Sequence, residues 1–344
     1  MLDNATSSVL EEIKKAGLNN SLVNTVGTPN YFASVIDAGS MYVAHCTDGV
    51  GSKIQHLTPN NMCDVIGHDV VAMNYNDMLC VGGNPISFQN HITATEKHSH
   101  IIPAVIRGIT ESCNETFTLL TGGETEILKS SKFHISGSLV GIVQKDNLID
   151  GSNVKDGDVI IGLESSGVHA NGWTAIAEKC PDFIVPENLT GTKIYHRDIM
   201  PLMTRTAVSA IVNITGGGFR NLERIPNNFK YDIDNEISGA WTMLQTKFER
   251  HELYSQFNCG IGMMVIVRPE NVDTALDALV SNPRVIGKVS DSERPMVVVN
   301  GENISGHTDK YKFKQKQQYE LEFSLTDNWG KIWKKWVKWL KWRI

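Results

Sequence analysis

Five short stretches of this chain carry residue types suited to holding a metal, a phosphate or another ligand. Thr121-Gly-Gly-Glu-Thr-Glu126 sets two carboxylates, Glu124 and Glu126, directly behind Gly122 and Gly123. Read from sequence, it is a strand running into a tight turn with both carboxylates at its tip. Glycines let backbone approach a ligand closely, and Mg²⁺ takes one or two carboxylates plus substrate phosphates. Asp48-Gly-Val-Gly-Ser-Lys53 packs a carboxylate, Gly49, Gly51, a hydroxyl and a lysine into one loop. Asp48 is suited to a metal and Lys53 to a phosphate. The spacing of a Walker loop is absent, and a plain turn with a surface lysine is the alternative.

Asp69, Asn76 and Asp77 fall in one helical segment, where positions 69, 73 and 77 are expected to share a face. A carboxylate among Val70, Val71, Met73, Met78 and Leu79 needs a partner, and a metal is one candidate. Ser165-Ser-Gly-Val-His-Ala-Asn-Gly172 follows an apolar run and opens a helix, so its hydroxyls and amides suit an anion. Within it His169 suits proton transfer or hydrogen bonding. Ile214-Thr-Gly-Gly-Gly-Phe219 places Gly216, Gly217 and Gly218 where the chain is tight or a ligand touches backbone, with Asn221 and Arg224 following.

The elements that must position these residues alternate between strand and helix, an α/β plan. Strands are expected at 41–46, 86–93, 117–120 and 134–143, with helices at 64–80 (Asp64 as N-cap) and 101–113. After a polar, turn-rich stretch at 150–158, a second run is expected. It has strands at 159–163, 262–267 and 284–289, and helices at 171–179, 201–211, 236–250 and 272–279. The expected organisation is a first domain over 1–155, a second over 156–307 and an extension over 308–344.

Length and composition agree with such a two-domain plan. The 344 residues are 41% hydrophobic and 20% charged, with a net charge of −6, which carries no nucleic-acid signature. No apolar run is long enough to span a membrane, and the first fifteen residues show no secretory pattern. Six cysteines without a C-x-x-C pair argue against zinc and for a reducing, cytoplasmic setting. The segment from Trp329 to Ile344 has six positive and no negative residues. On a helix Trp329, Ile332, Trp333, Trp336, Val337 and Leu340 form one stripe. Docking on the protein's own dimer or on another partner is the first reading of that helix, and contact with an anionic membrane the second.

Taken in order, the motifs resemble the aminoimidazole ribonucleotide synthetase, or phosphoribosylformylglycinamidine cyclo-ligase, family. The matching stretches are TDGVGSK (47–53), IGHDVVAMNYND (66–77), TGGET (121–125), DGDVIIGLESSGVHANGW (156–173), ITGGGFRNLERIP (214–226) and FNCGIGMMVIV (257–267). The resemblance implies a two-domain α/β synthetase, a homodimer whose N-terminal sheets pair into a barrel, and an ATP site between barrel and C-terminal half. It implies ATP-dependent ring closure of formylglycinamidine ribonucleotide through phosphorylation of its formyl oxygen. It assigns Asp48, Gly49, Gly51, Lys53, Asp69, Asn76, Asp77, Gly122, Gly123 and Glu124 to ATP, with Asp48, Asp69, Asp77 and Glu124 on Mg²⁺. Ser165, Ser166, His169, Asn171 and Gly216 to Gly218 go to the substrate, and Lys53, His169 and Asn171 to catalysis.

The chain departs from the family pattern in four places. Glu126-Ile-Leu-Lys129 follows the Gly-Gly-Glu-Thr run, and Asn90 stands where an aspartate is usual. The glycine-rich N-terminal segment is reduced to echoes at 15–20 and 26–31, and the Trp-rich tail lies outside the pattern. Thiamine-monophosphate kinase, selenophosphate synthetase and the hydrogenase-maturation dehydratase share the ATP-site logic, but SSGVHANG with ITGGGF fits the cyclo-ligase best. A catalytically silent binding subunit is the alternative of a different class.

Overall fold

The computed structural model describes residues 25–28 and 30–306. The basic helix expected near the C-terminus and the echo at 15–20 lie outside the described residues. Two sheets organise what is described. The first holds β1 (Thr25–Val26), β2 (Ser34–Asp37), β3 (Tyr42–Gly49), β4 (Asn84–Ala94), β5 (Leu119–Ile127) and β6 (His134–Val143), in the spatial order β1-β2-β3-β6-β4-β5. It is an open sheet in one chain, with β5 at its edge and paired parallel to β4. The second holds β7 (Val159–Glu164), β8 (Ala210–Asn213), β9 (Phe229–Ile233), β10 (Ile261–Val267), β11 (Arg284–Asp291), β12 (Met296–Val299) and β13 (Glu302–Asn303). Their order is β13-β12-β9-β11-β7-β10-β8.

The helix Cys63–Cys80 is buried over most of its circumference because it has neighbours on several sides. It packs under β3, β4 and β6, against the helix Ile102–Glu115, and reaches β8 of the second sheet. Gly67 and Gly108 make the helix crossing possible. A Cβ on Gly67 would collide with the carbonyl of Val105, and one on Gly108 with that of Asp64. This helix therefore ties the two sheets into one frame. Its N-cap is Met62, without a side-chain bond, and Asp64 lies inside the first turn instead of capping it.

Three expectations change. The Gly122-Gly123 pair is no turn: β5 runs straight through it, paired to β4 from Ser87↔Leu119 to Ala94↔Ile127 with an irregularity at Phe88/Gln89 that leaves Thr121 over. Gly123 is needed because a Cβ there would press on the Asn90 carbonyl at 2.5 Å. The helix expected at 201–211 is a helix His196–Arg205 followed by strand β8, and that expected at 236–250 is two short helices, Trp241–Gln245 and Arg250–Gln256. Strands β2 and β9 were not expected, and neither were the short strands β1, β12 and β13.

Candidate functional site

The loop after β3 and the loop after β7 meet above the Cys63–Cys80 helix. Ser52 receives a hydrogen bond from the hydroxyl of Thr174 at 2.8 Å. Beneath them runs the segment 190–195, here called the strap, whose backbone is held by side chains from both halves. Lys53 Nζ donates to the Thr190 carbonyl at 2.5 Å and Ser166 Oγ to that of Gly191 at 2.5 Å. Asp69 Oδ1 accepts from Thr192 N at 2.7 Å, and His68 Nε2 donates to the Thr192 carbonyl at 2.7 Å. His169 Nε2 accepts from Lys193 N at 3.4 Å and from Ser166 N at 3.3 Å. Asn76 uses both ends of its amide, donating to the Lys193 carbonyl and accepting from Tyr195 N.

This strap absorbs several residues expected at the ligand. Lys53 and Asp69 form an ion pair at 2.7 Å, and both side chains are fully buried. They neutralise one another and hold the strap, so neither faces an open site. Asn76 is likewise fully buried. Asp69 and Asp77 do not share a ligand either, because eight residues at ~100° each leave them about 80° apart around the helix axis. His169 sits at φ +66° and is 4% exposed. Burial, then the nearby charges of Lys53 and Lys193, push its pKa down to about 3. The neutral ring is thereby favoured, with Nε2 accepting from the two backbone N–H groups.

Asp48 and Asp77 form a second region. Asp77 accepts from Asn213 Nδ2 of β8 at 2.8 Å. Burial raises its pKa to about 7, with Arg224 opposing and Asp48 adding to the rise. Burial also raises Asp48, while its contact with Gly49 N and the charge of Arg224 pull it down. Arg224 is itself fixed by a bond to the Tyr31 carbonyl at 3.0 Å and by lying over the Phe32 ring. Asp48 and Asp77 are carboxylates whose charged forms burial disfavours, which makes them the candidates here for a divalent cation. Arg224 was visible behind the three glycines but had no expected role. Its signal, a cation about two 3-10 turns past a glycine turn, is not specific.

Glu124 lies elsewhere. Cross-strand pairing runs Asp48↔Gly137, Gly137↔Asn90 and Asn90↔Gly123. Asp48 and Glu124 are thus three inter-strand spacings apart, about 14 Å, and successive residues alternate faces. Among the described residues no three His, Cys, Asp or Glu side chains gather as a metal cluster, so the expected four-carboxylate set is not assembled within one chain. Glu124 instead borders a cavity of ≈ 370 Å³ with Gln89, His91, Ser136 and Ser138. On the other side of the seam, Asn171 Oδ1 would lie 3.2 Å from a Cβ on Gly216. Gly217 and Gly218 have φ of +107° and +54°, and a Cβ on Gly218 would strike the Tyr254 carbonyl. Asn171 and the glycine turn therefore share one wall. The Ser165 loop is pinned by Asn258, which accepts from Ser165 Oγ and donates to the Gly167 carbonyl.

Comparison with known proteins agrees with this architecture. Residues 32–143 match the family model described as AIR synthase related protein, N-terminal domain, and residues 155–300 match its C-terminal domain. The chain is 33% identical to the phosphoribosylformylglycinamidine cyclo-ligase of Methanococcus maripaludis over 79% of its length and 83% of the relative's. It is 32% identical to that of Lactococcus lactis, over 85% and 94%. Its fold is similar to thiamine monophosphate kinase from Aquifex aeolicus (TM-score 0.60, 16% identity, covering 87% and 98%). It is also similar to the hydrogenase maturation protein HypE in complex with ATP (TM-score 0.61, 16% identity, 76% and 84%).

Proposed function

The chain belongs to the AIR synthase related family, with the phosphoribosylformylglycinamidine cyclo-ligases, and we propose that its reactants meet at the seam between the two sheets. It is a ligase of purine biosynthesis, closing the imidazole ring of aminoimidazole ribonucleotide. ATP is the co-substrate: its γ-phosphoryl group passes to the formyl oxygen of formylglycinamidine ribonucleotide. An amidine nitrogen then attacks that carbon, the C–O bond breaks, and phosphate leaves. Phosphoryl transfer needs mainly positioning and charge stabilisation, and ring closure mainly proximity.

The observation that carries the reading is the Asp48–Asp77 pair beside Arg224. These carboxylates would hold Mg²⁺, which supplies neutralisation of the triphosphate charge. Gly51, with open space where a Cβ would stand, leaves the loop backbone open to phosphate, whereas Gly49 ends β3 packed on the Ile135 carbonyl. Asn171 and the Gly216–Gly218 wall are suited to orient the ribonucleotide. His169 serves by fixing loop backbone.

Homodimerisation belongs to the same proposal. Strand β5 is exposed along its whole length, and Phe117 and Leu119 are 84% and 68% exposed. An open, partly apolar strand edge invites a second strand. A second copy meeting this sheet would also bring Glu124 and Gly122-Gly123 toward a shared site. Cytoplasmic operation is part of the reading, since all six cysteines are free, as a reducing compartment keeps them. Among the described residues no helix is long and apolar enough to cross a membrane.

Purified protein given formylglycinamidine ribonucleotide and Mg²⁺–ATP is expected to release ADP and an aminoimidazole product. ATP binding without ring closure would replace this reading with that of a silent binding subunit. Absence of ATP binding would remove both.

A further inference from the structure

Accepting the seam as the meeting place of two phosphate-bearing reactants, we infer that Lys193 binds a phosphate group of one of them. The strap explains why this lysine is presented so firmly. Each peptide group from Thr190 to Lys193 has at least one backbone atom tied to a side chain, by Lys53, Ser166, Asp69, His68, His169 and Asn76. A segment fixed in this way holds what it carries within narrow limits, as a binding site requires.

The strap's other side chains have places within the protein. Thr190 Oγ1 donates to the Ser166 carbonyl, Thr192 is buried, and Ile194 packs on the core. Tyr195 is fully buried, with its hydroxyl on the Glu164 carbonyl. Lys193 is half-buried, and its ammonium stands 6.0 Å from the centre of the Tyr195 ring. Among the described residues it makes no ion pair, whereas Lys53 below it is matched by Asp69.

Of the two lysines at the strap, Lys53 has a carboxylate partner and Lys193 has none among the described residues, in a protein whose net charge is −6. Lys193 belongs to the strap beside His169, whose Nε2 accepts from the Lys193 backbone N–H, and the Lys193 charge disfavours protonation of that ring. A lone ammonium on a rigid support is a point-charge site for phosphate. Two sources share that chemistry, the triphosphate of ATP and the 5′-phosphate of the ribonucleotide.

The test uses the full chain carrying Lys193→Met, with Lys193→Gln as a second uncharged form and Lys193→Arg as the charge-retaining control. The strap is held through backbone atoms, so circular dichroism and the thermal midpoint are expected to match wild type. The KM of one reactant is expected to rise roughly tenfold to a hundredfold, the size of a lost charge-assisted bond. The other KM should stay unchanged and the Arg form should recover most of the loss. A rise confined to the ribonucleotide assigns its 5′-phosphate, and one confined to ATP assigns the triphosphate. Unchanged KM for both reactants overturns the inference while leaving the proposed function standing. Titration calorimetry with inorganic phosphate and with tripolyphosphate gives a readout independent of turnover. Weaker binding of either anion by the Met and Gln forms supports the site even if ring closure is absent. Equal binding by all forms overturns it.

Discussion

At one end of the Asp48–Lys53 loop the lysine is shut beneath the strap with Asp69. At the other end Asp48 stands with Asp77 beside Arg224. The residue types are similar and they are a few positions apart, yet they do different work. In the strap region Lys53 and Asp69 are paired with one another, and Lys193 has no ion-pair partner among the described residues. The region's polar groups build the support on which loops from both halves rest. In the Asp48–Asp77 region the protein leaves two carboxylates at raised pKa, a state that a bound cation relieves. A polar residue in a ligand-like motif can thus act one step removed from the ligand, and burial with a matched partner is what separates the two cases.

The largest effect expected on either side is in the strap. Lys53→Met or Asp69→Leu leaves a fully buried charge unpaired, which costs about 3–5 kcal/mol. Joining both changes in one chain is expected to cost less than their sum. Urea unfolding of the two single variants and the double variant measures this, and single costs below about 1 kcal/mol would erase the contrast with the second region.

The next effect is pH-dependent. His169 has a folded pKa near 3 against an ordinary 6.5, so as pH falls the unfolded chain takes up the proton first. Its contribution to stability is whole above pH 6.5 and declines as pH drops toward 3, by on the order of 5 kcal/mol in total. His169→Gln keeps an acceptor for the two backbone N–H groups and is expected to flatten that decline in thermal midpoint between pH 4 and 7. The same variant should retain most ring-closing activity, because an acceptor is all that is required of it. Loss of activity at unchanged stability would return His169 to proton transfer.

In the second region the pattern reverses. Asp77→Asn keeps an oxygen for Asn213 and removes a disfavoured charge, so stability at pH 8 is expected to hold or rise by about 1 kcal/mol while ATP turnover collapses. Destabilisation together with normal turnover would make Asp77 a member of the frame. The smallest change in stability is expected for Glu124→Gln on exposed β5, within about 0.5 kcal/mol, with weakened Mg²⁺-dependent use of ATP. Unaltered kinetics would take Glu124 out of the site.

Much of the frame was legible because long apolar patterns are local. The helix Cys63–Cys80, strand β6 and the wholly buried β10 follow from periodicity or from an unbroken apolar run. The Gly-Gly pair misled because glycine marks close approach as well as turns, and only the β4 ladder shows that Asn90 is what approaches. Strand β2 is only four residues long, and β9 mixes apolar and charged residues over five, with partners β11 and β12 far away in sequence. In the site, Asp48 and Asp77 could be picked by residue type. The fates of Lys53, Asp69 and His169 could not, since their partners are backbone atoms of a strap more than a hundred residues from Lys53 and Asp69. That strap has no side-chain pattern of its own, and Lys193 in it looks like any surface lysine.

The division between the two regions is tested most directly by the rise in thermal midpoint that Mg²⁺–ATP produces. At a ligand concentration about a hundred times Kd, binding adds ~2.7 kcal/mol of stability. The rise is expected in wild type, absent in Asp77→Asn, and present in Asp69→Asn measured from its own lower starting point. A full rise in Asp77→Asn together with its loss in Asp69→Asn would contradict the division and return Asp69 to the ligand.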